Sequence, residues 1–274
     1  MRLKDFQQTV WEYYDQSGRH SLSWRLPEPD GRFNPYKIMV SEVMLQQTQV
    51  SRVIVKYQQF LELFPTVTDL ARAELGQVLT AWQGLGYNRR AKFLWQAAQM
   101  VEAEFAGVFP QDQKELTRLP GIGINTAGAI MAYAYDQPVS FIETNIRTVF
   151  IHHFFHDQQA VPDQLIMQIV TETLPAGKQA PIRQWYWALM DYGSHLKQTV
   201  GNLSRASKSY AKQSPFAGSR RAVRGAVIRL LSQQDSVTTD ELANFITDPR
   251  LADVLKDLEA EGLIRQRAKH YRLS

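Results

Sequence analysis

The stretch Leu119-Pro120-Gly121-Ile122-Gly123-Ile124-Asn125-Thr126-Ala127 carries the first candidate chemistry. Two glycines one residue apart let a backbone turn sharply and approach another backbone closely. A helix opening near Asn125 leaves its first amides pointing outward, which suits a phosphate. Gly121, Ile122, Gly123 and Thr126 would form that cradle. Glu143 follows eighteen residues after Asn125, on the loop beyond the helix, where its carboxylate would face the same ligand. A phosphate cradle beside a carboxylate points to chemistry on the sugar or base of a nucleic acid. A Gly-x-Gly pair alone is most often a plain turn, so the neighbouring blocks decide.

Three further blocks accompany it: Ser41-Glu42-Val43-Met44-Leu45-Gln46-Gln47-Thr48-Gln49-Val50, then Trp82-Gln83-Gly84-Leu85-Gly86-Tyr87-Asn88-Arg89-Arg90-Ala91, then Met190-Asp191-Tyr192-Gly193. With the glycine turn, read as a helix-hairpin-helix, they resemble adenine DNA glycosylases of the MutY type, within the endonuclease III superfamily. The resemblance covers roughly residues 5 to 200, and the ten-residue Glu42 block is its most specific part.

Breaking an N-glycosidic bond requires protonation of the leaving base and electrostatic support for a cationic sugar. The resemblance implies that Glu42 protonates the adenine ring. Its apolar sequence neighbours would raise its pKa and favour a proton donor; the competing reading is a surface helix carboxylate. The family places an aspartate where this chain has Glu143, to stabilise the sugar cation or bond to it. Glutamate keeps the charge but moves the carboxylate by one methylene. Its alternative role is to cap the helix that begins before Ile146. Asn125 stands where bifunctional relatives carry the Schiff-base lysine, so a strand-cleaving lyase step is not expected. It would touch the flipped base or hold a water. Gln46 and Gln47 match the wedge that fills the gap left by an extruded base. Tyr87, Arg89 and Arg90 would flank the strand by stacking and phosphate contact, with a core aromatic as the alternative for Tyr87. Trp24, Trp82, Trp185 and Trp187 read as core. His152, His153 and His156 could ligate a metal only with a further ligand, and surface or core histidines are expected instead.

Composition sets the outer bounds. The chain has 274 residues, 44% of them hydrophobic, and no cysteine. It is long enough for two or three compact units. Disulfides, thiolate zinc sites and cysteine-held iron–sulfur clusters are excluded. No cofactor is expected. The family's four cluster cysteines fall, by register, on Lys197, Ser204, Ser207 and Gln213. Net charge is +4. Between residues 197 and 229 there are eight Lys or Arg and no Asp or Glu. Beside the glycosylase-like blocks this run, with Lys208 and Lys212, reads as a phosphate-tracking segment rather than a merely solvated one. No apolar run reaches eighteen residues and the N-terminus lacks a signal core, so a monomer in the cytoplasm, on the nucleoid when DNA-bound, is expected, without membrane contact. The partner would be double-stranded DNA with a lesion or mismatch.

The elements that must position these residues are mainly α. Helical spacing marks residues 3–15, 36–47, 50–62, 67–72, 75–81, 87–105, 113–118, 124–135, 143–155, 163–174 and 181–195. No strand run stands out before residue 260. The expected architecture is a two-part helical helix-hairpin-helix glycosylase fold over 1–200. Its six-helix part spans about 27–140, and the N-terminal helix packs with about 141–200. A basic linker or loop, 201–218, stands in place of the cluster loop. Residues 219–274 follow as a small winged-helix-like domain, with helices at 219–233, from Thr238 and at 249–261, then an alternating apolar and basic wing. Asp253, Asp257, Glu259 and Glu261 make its third helix too acidic for a clear major-groove reader. That domain, shorter than the family's lesion-inspecting one, leaves three readings open: adenine excision, excision of a damaged or mismatched pyrimidine, and a non-catalytic DNA-binding module.

Overall fold

The computed structural model describes residues 2–175, 181–212 and 215–274. Two compact units emerge: Met1–Met39 with Gln111–Thr117 and Ile122–Lys212, and Val40–Pro110 with Arg118–Gly121 and Gln213–Ser274.

In the first unit, α1 (Leu3–Ser17) buries Phe6, Val10 and Tyr14, a stripe at four-residue spacing. Phe6 reaches Phe150 of α9 (Thr144–Phe154) at 5.2 Å and Trp185 of α11 (Ile182–Thr199) at 6.1 Å. α8 (Ile124–Tyr135) is buried at every position from Ala127 to Ala134, as its apolar run requires. Two glycines set the closest approaches. A Cβ on Gly193 would lie 2.2 Å from the Asn145 carbonyl, and one on Gly128 would lie 2.9 Å from the Phe141 side chain. The Met190-Asp191-Tyr192-Gly193 block is thus a packing device. Gly193 admits α9, while buried Asp191 accepts from Arg25 at 2.8 and 2.9 Å and from Arg19 at 2.7 Å. Burial pushes the Asp191 carboxyl up, and these bonds outweigh it, leaving the group below its usual range. α7 (Gln113–Leu116) and α10 (Asp163–Glu172) complete this unit.

The second unit holds α3 (Val50–Leu63), α4 (Val67–Arg72), α5 (Leu75–Ala81) and α6 (Arg89–Phe105). α2 (Pro35–Leu45) crosses the division after Met39. The same unit contains α12 (Arg220–Leu231), α13 (Thr239–Phe245) and α14 (Leu251–Ala260). Their sheet is antiparallel in the order β1-β3-β2, from Val237–Thr238, Ile264–Arg267 and His270–Leu273. Three helices and a wing make the C-terminal part winged-helix-like. Thr238 caps α13 reciprocally with Glu241.

Two expectations need correcting. A strand does occur before residue 260; β1 is too short to show periodicity. The division does not follow 1–200 against 219–274, because the winged part groups with 40–110. Leu273 of β3 packs beside Gly76, and Lys92 of α6 donates to the Glu261 carbonyl. Of the two forms open to the segment 201–218, linker or loop, its described part is a held loop. Leu203–Ala206 forms a 3-10 turn, and Ser207 pairs with Val161 in a parallel bridge. Gln213 and Ser214, in that segment, lie outside the described residues.

Candidate active site

The glycine turn resolves into two different roles. Gly121 takes φ 77°, and a Cβ there would meet the Phe93 Cβ at 2.7 Å. Both facts require glycine. Gly123 is the N-cap of α8 with ordinary extended backbone and open space where a Cβ would stand. No side chain caps α8, and Gly123, Ile124 and Asn125 are exposed while Ile122 is buried. Thr126 is half-buried.

Asn125 does more than flank the turn. Its Oδ1 accepts from the Ile142 amide at 3.3 Å, one residue before Glu143. The loop leading to Glu143 is fixed at further points. Tyr186 donates to the Val139 carbonyl at 2.8 Å, Phe141 stacks on Tyr186 at 4.1 Å, and Asn145 donates to the Met190 carbonyl at 3.3 Å. Glu143 occupies the N-cap of α9 with extended backbone, yet its side chain makes no capping bond. Its half-buried side chain stands at the end of that braced loop. The α9 dipole favours negative charge at that position.

Glu42 lies on α2, half-buried, between the buried side chains Met39, Val40, Val43 and Met44. Just beyond, the chain leaves the helix through Gln46 and exposed Gln47, whose φ of 56° is left-handed. Gly84, Gly86 and Tyr87 are left-handed too, at 92°, 72° and 50°.

Arg90 departs from its expected role. Its guanidinium donates to the carbonyls of Val43 (2.7 Å), Met44 (3.1 Å) and Gln46 (2.6 Å), to Thr48 Oγ1 (3.2 Å), and to the carbonyls of Leu85 (3.1 Å) and Gly86 (3.0 Å). Its charge serves the end carbonyls of α2 and the glycine turn, not a phosphate. Burial lowers Arg90 to about 10, so it remains cationic at neutral pH. Arg89 is exposed, lies over Phe93 at 5.5 Å and approaches Glu261 at 3.9 Å. Tyr87 is 37% exposed and not core. Arg221 of α12, which sequence reading did not single out, donates to its hydroxyl.

Lys208 and Lys212 are exposed on the basic segment, whose anchor is Asp163. That carboxylate accepts from Arg147 at 2.9 and 2.7 Å and from Ser207 Oγ at 3.1 Å. The Arg147 bonds hold Asp163 below the usual carboxylate range. Of the four cluster positions, Lys197 is exposed, Ser204 and Ser207 are buried, and Gln213 is outside the described residues. Ser204 Oγ donates to Asn202 at 2.5 Å. Side chains so engaged, with no thiolate among them, do not fit an iron–sulfur cluster. Among the described residues no group of three His, Cys, Asp or Glu could hold a metal. His153 instead bonds the Tyr192 hydroxyl at 3.0 Å, and burial with neighbouring His152 lowers it to about 4. Among the described residues no helix is long and apolar enough to cross a membrane.

A glycine hairpin before a core helix, with a carboxylate at the next helix's N-cap, is a helix-hairpin-helix arrangement. Residues 40–175 match the model of the HhH-GPD superfamily base excision DNA repair proteins. The adenine DNA glycosylase of Mycolicibacterium smegmatis is 33% identical over 93% of this chain and 91% of its own length. That of Buchnera aphidicola (Baizongia pistaciae) is 33% identical over 77% of this chain, which spans 60% of that relative's length. A solved thermostable thymine-DNA glycosylase shares the fold, with TM-score 0.59 and 22% identity, over 70% of this chain and 86% of that one. The chain belongs to the HhH-GPD superfamily of base excision DNA repair proteins.

Proposed function

We propose that this DNA glycosylase hydrolyses the N-glycosidic bond of adenine in mispaired or lesion-bearing duplex DNA, as a monomer and without efficient strand cleavage. The observation that carries the reading is Glu143 at the N-cap of α9, on a loop braced by Asn125, Tyr186 and Asn145. Glu42 gives a proton to the purine ring as the bond from C1′ to the base nitrogen breaks, and the base leaves with the bonding pair. Glu143 stabilises the resulting sugar cation or bonds to C1′, and water supplies the hydroxyl of the abasic product. Gln46 and Gln47 fill the vacated stack. The amides of Gly121, Ile122, Gly123 and Thr126, with Arg89, Lys208 and Lys212, meet phosphates. Asn125 holds the Glu143 loop and, lacking an amine, forms no imine.

The test is base release from a panel of duplexes with one mispair or lesion each, with and without alkali. Adenine release, with strand breaks only after alkali, is expected. Glu42→Gln should bind DNA and lose base release by roughly 100-fold or more. Glu143 in place of the family's aspartate, Asn125 and the short C-terminal part favour the second reading, excision of a damaged or mismatched pyrimidine. Release of pyrimidine alone would establish that one, and no release from any duplex would favour a DNA-binding module.

A further inference from the structure

We propose that Arg221, in the C-terminal part of the chain, is a positioning residue for Tyr87, so that the winged-helix-like element takes part in engaging the DNA strand. The inference rests on the reading of Tyr87 as a strand-stacking residue.

Tyr87 is an exposed aromatic in left-handed backbone, a conformation that persists only where its surroundings enforce it. Two guanidinium groups meet at its ring. Arg90 lies 5.5 Å from the centroid and is fixed below by its backbone partners. Arg221 lies 5.3 Å from the centroid and donates to the hydroxyl. An unrestrained surface tyrosine would sample several rotamers, and a stacking platform must hold one.

Arg221 is itself placed firmly. Its helix, α12, is tied to α14 through Arg220 with Asp257 and through Arg224 with Glu261 at 2.5 Å. Glu261 is tied in turn to α6, where its carbonyl accepts from Lys92 and its carboxylate faces Arg89. Asp257 and Glu261 are thus occupied in fixing α12. Arg221 is the arginine of this cluster directed at Tyr87. A ring carrying two cations attracts both a base π-face and the phosphate beside it. The ligand class is therefore one strand of DNA, stacked on the Tyr87 ring with its phosphodiester near Arg221.

The test uses the full chain with Arg221→Met, Tyr87→Phe, the double variant and Tyr87→Ala. Single-turnover base release, duplex affinity against salt and the fluorescence of 2-aminopurine at the target position are measured, with melting as a control. Arg221→Met and Tyr87→Phe should each slow release about tenfold, the scale of one charged hydrogen bond. The double variant should be no slower than either single one, since both remove the same contact. The 2-aminopurine signal should fall with Arg221→Met while melting stays unchanged. Normal release by Arg221→Met, with Tyr87→Ala impaired, would overturn the proposal alone. Losses that multiply in the double variant would also overturn it. Normal release and affinity in Tyr87→Ala would remove the reading beneath it.

Discussion

Replacing Arg90 by lysine separates two roles that the sequence could not tell apart. Lysine is an adequate phosphate binder, so a phosphate contact at residue 90 would survive the change with little loss. A clamp would not. The guanidinium makes six hydrogen bonds to protein acceptors. The six contacts share four N–H hydrogens; an ammonium has three donors and lacks the planar fork, so about half of these bonds are lost. At about 1–1.5 kcal/mol net for each lost bond, the variant should be destabilised by about 3–4 kcal/mol. For a chain of this size that is a fall of roughly 6–16 °C in melting temperature. The carbonyls released belong to the end of α2, directly beside Gln46, and to the turn before Tyr87, so base extrusion should suffer along with stability. Melting followed by calorimetry and duplex affinity across a salt series decide the matter. A lysine variant that melts with the wild type would refute the clamp. So would an Arg90→Ala variant of normal stability whose salt slope flattens by about 0.9, the signature of one lost phosphate contact.

The other expectations concern charge and reach. Glu143→Gln should abolish excision while duplex still binds, and Glu143→Asp should lower the rate, since about 1 Å of misplacement costs roughly 100-fold; an aspartate variant matching wild type would make Glu143 a tolerated replacement. Lys208→Ala with Lys212→Ala should flatten the plot of log affinity against log salt by about one unit per lost phosphate contact; an unchanged slope would make the segment a bystander. Stability should fall as pH drops from 6.5 towards about 4, because His153 stays neutral in the folded chain while the unfolded chain takes up the proton. His152, lowered by burial in the same direction, adds to it. A His153→Gln variant should lose most of that dependence, and an unchanged melting profile between the two pH values would contradict the assignment.

Periodicity and capping made most of the helices legible. α4, α5 and α8 coincide with the sequence reading, because strong punctuation bounds each one. The site was legible where a residue's role follows from its own type. Gly121 reads as a turn, and its left-handed backbone requires one. It was illegible where a role depends on a distant partner. Arg90 beside Arg89 looks like half of a basic pair, and only the fold shows that its neighbours are carbonyls. Arg221 and Tyr87 stand 134 residues apart, and nothing in their spacing links them. The Asp191-x-Gly193 pattern was visible, but its reason, the passage of α9 across Gly193, belongs to tertiary packing.

The basic segment shows how a cysteine-free loop can be held by hydrogen bonds alone. A metal cluster ties four points of chain into one rigid body. Here the ties are of another kind. The Val161 amide donates to the Ala206 carbonyl at 2.9 Å, and the Lys208 amide to the Val161 carbonyl at 3.0 Å. Ser207 hangs on Asp163, which Arg147 holds from α9. Hydrogen bonds of this kind fix position only near their own residues. Lys208 belongs to the bridge itself, whereas Lys212 lies four residues beyond it. Ordering a side chain for a phosphate costs entropy unless the backbone already places it. Of the two lysines, Lys208 should therefore carry the larger share of the salt-dependent affinity. The same tie reaches Arg147, one turn along α9 from Glu143. The loop proposed to meet the DNA backbone and the carboxylate proposed to face the sugar are thus anchored on one helix.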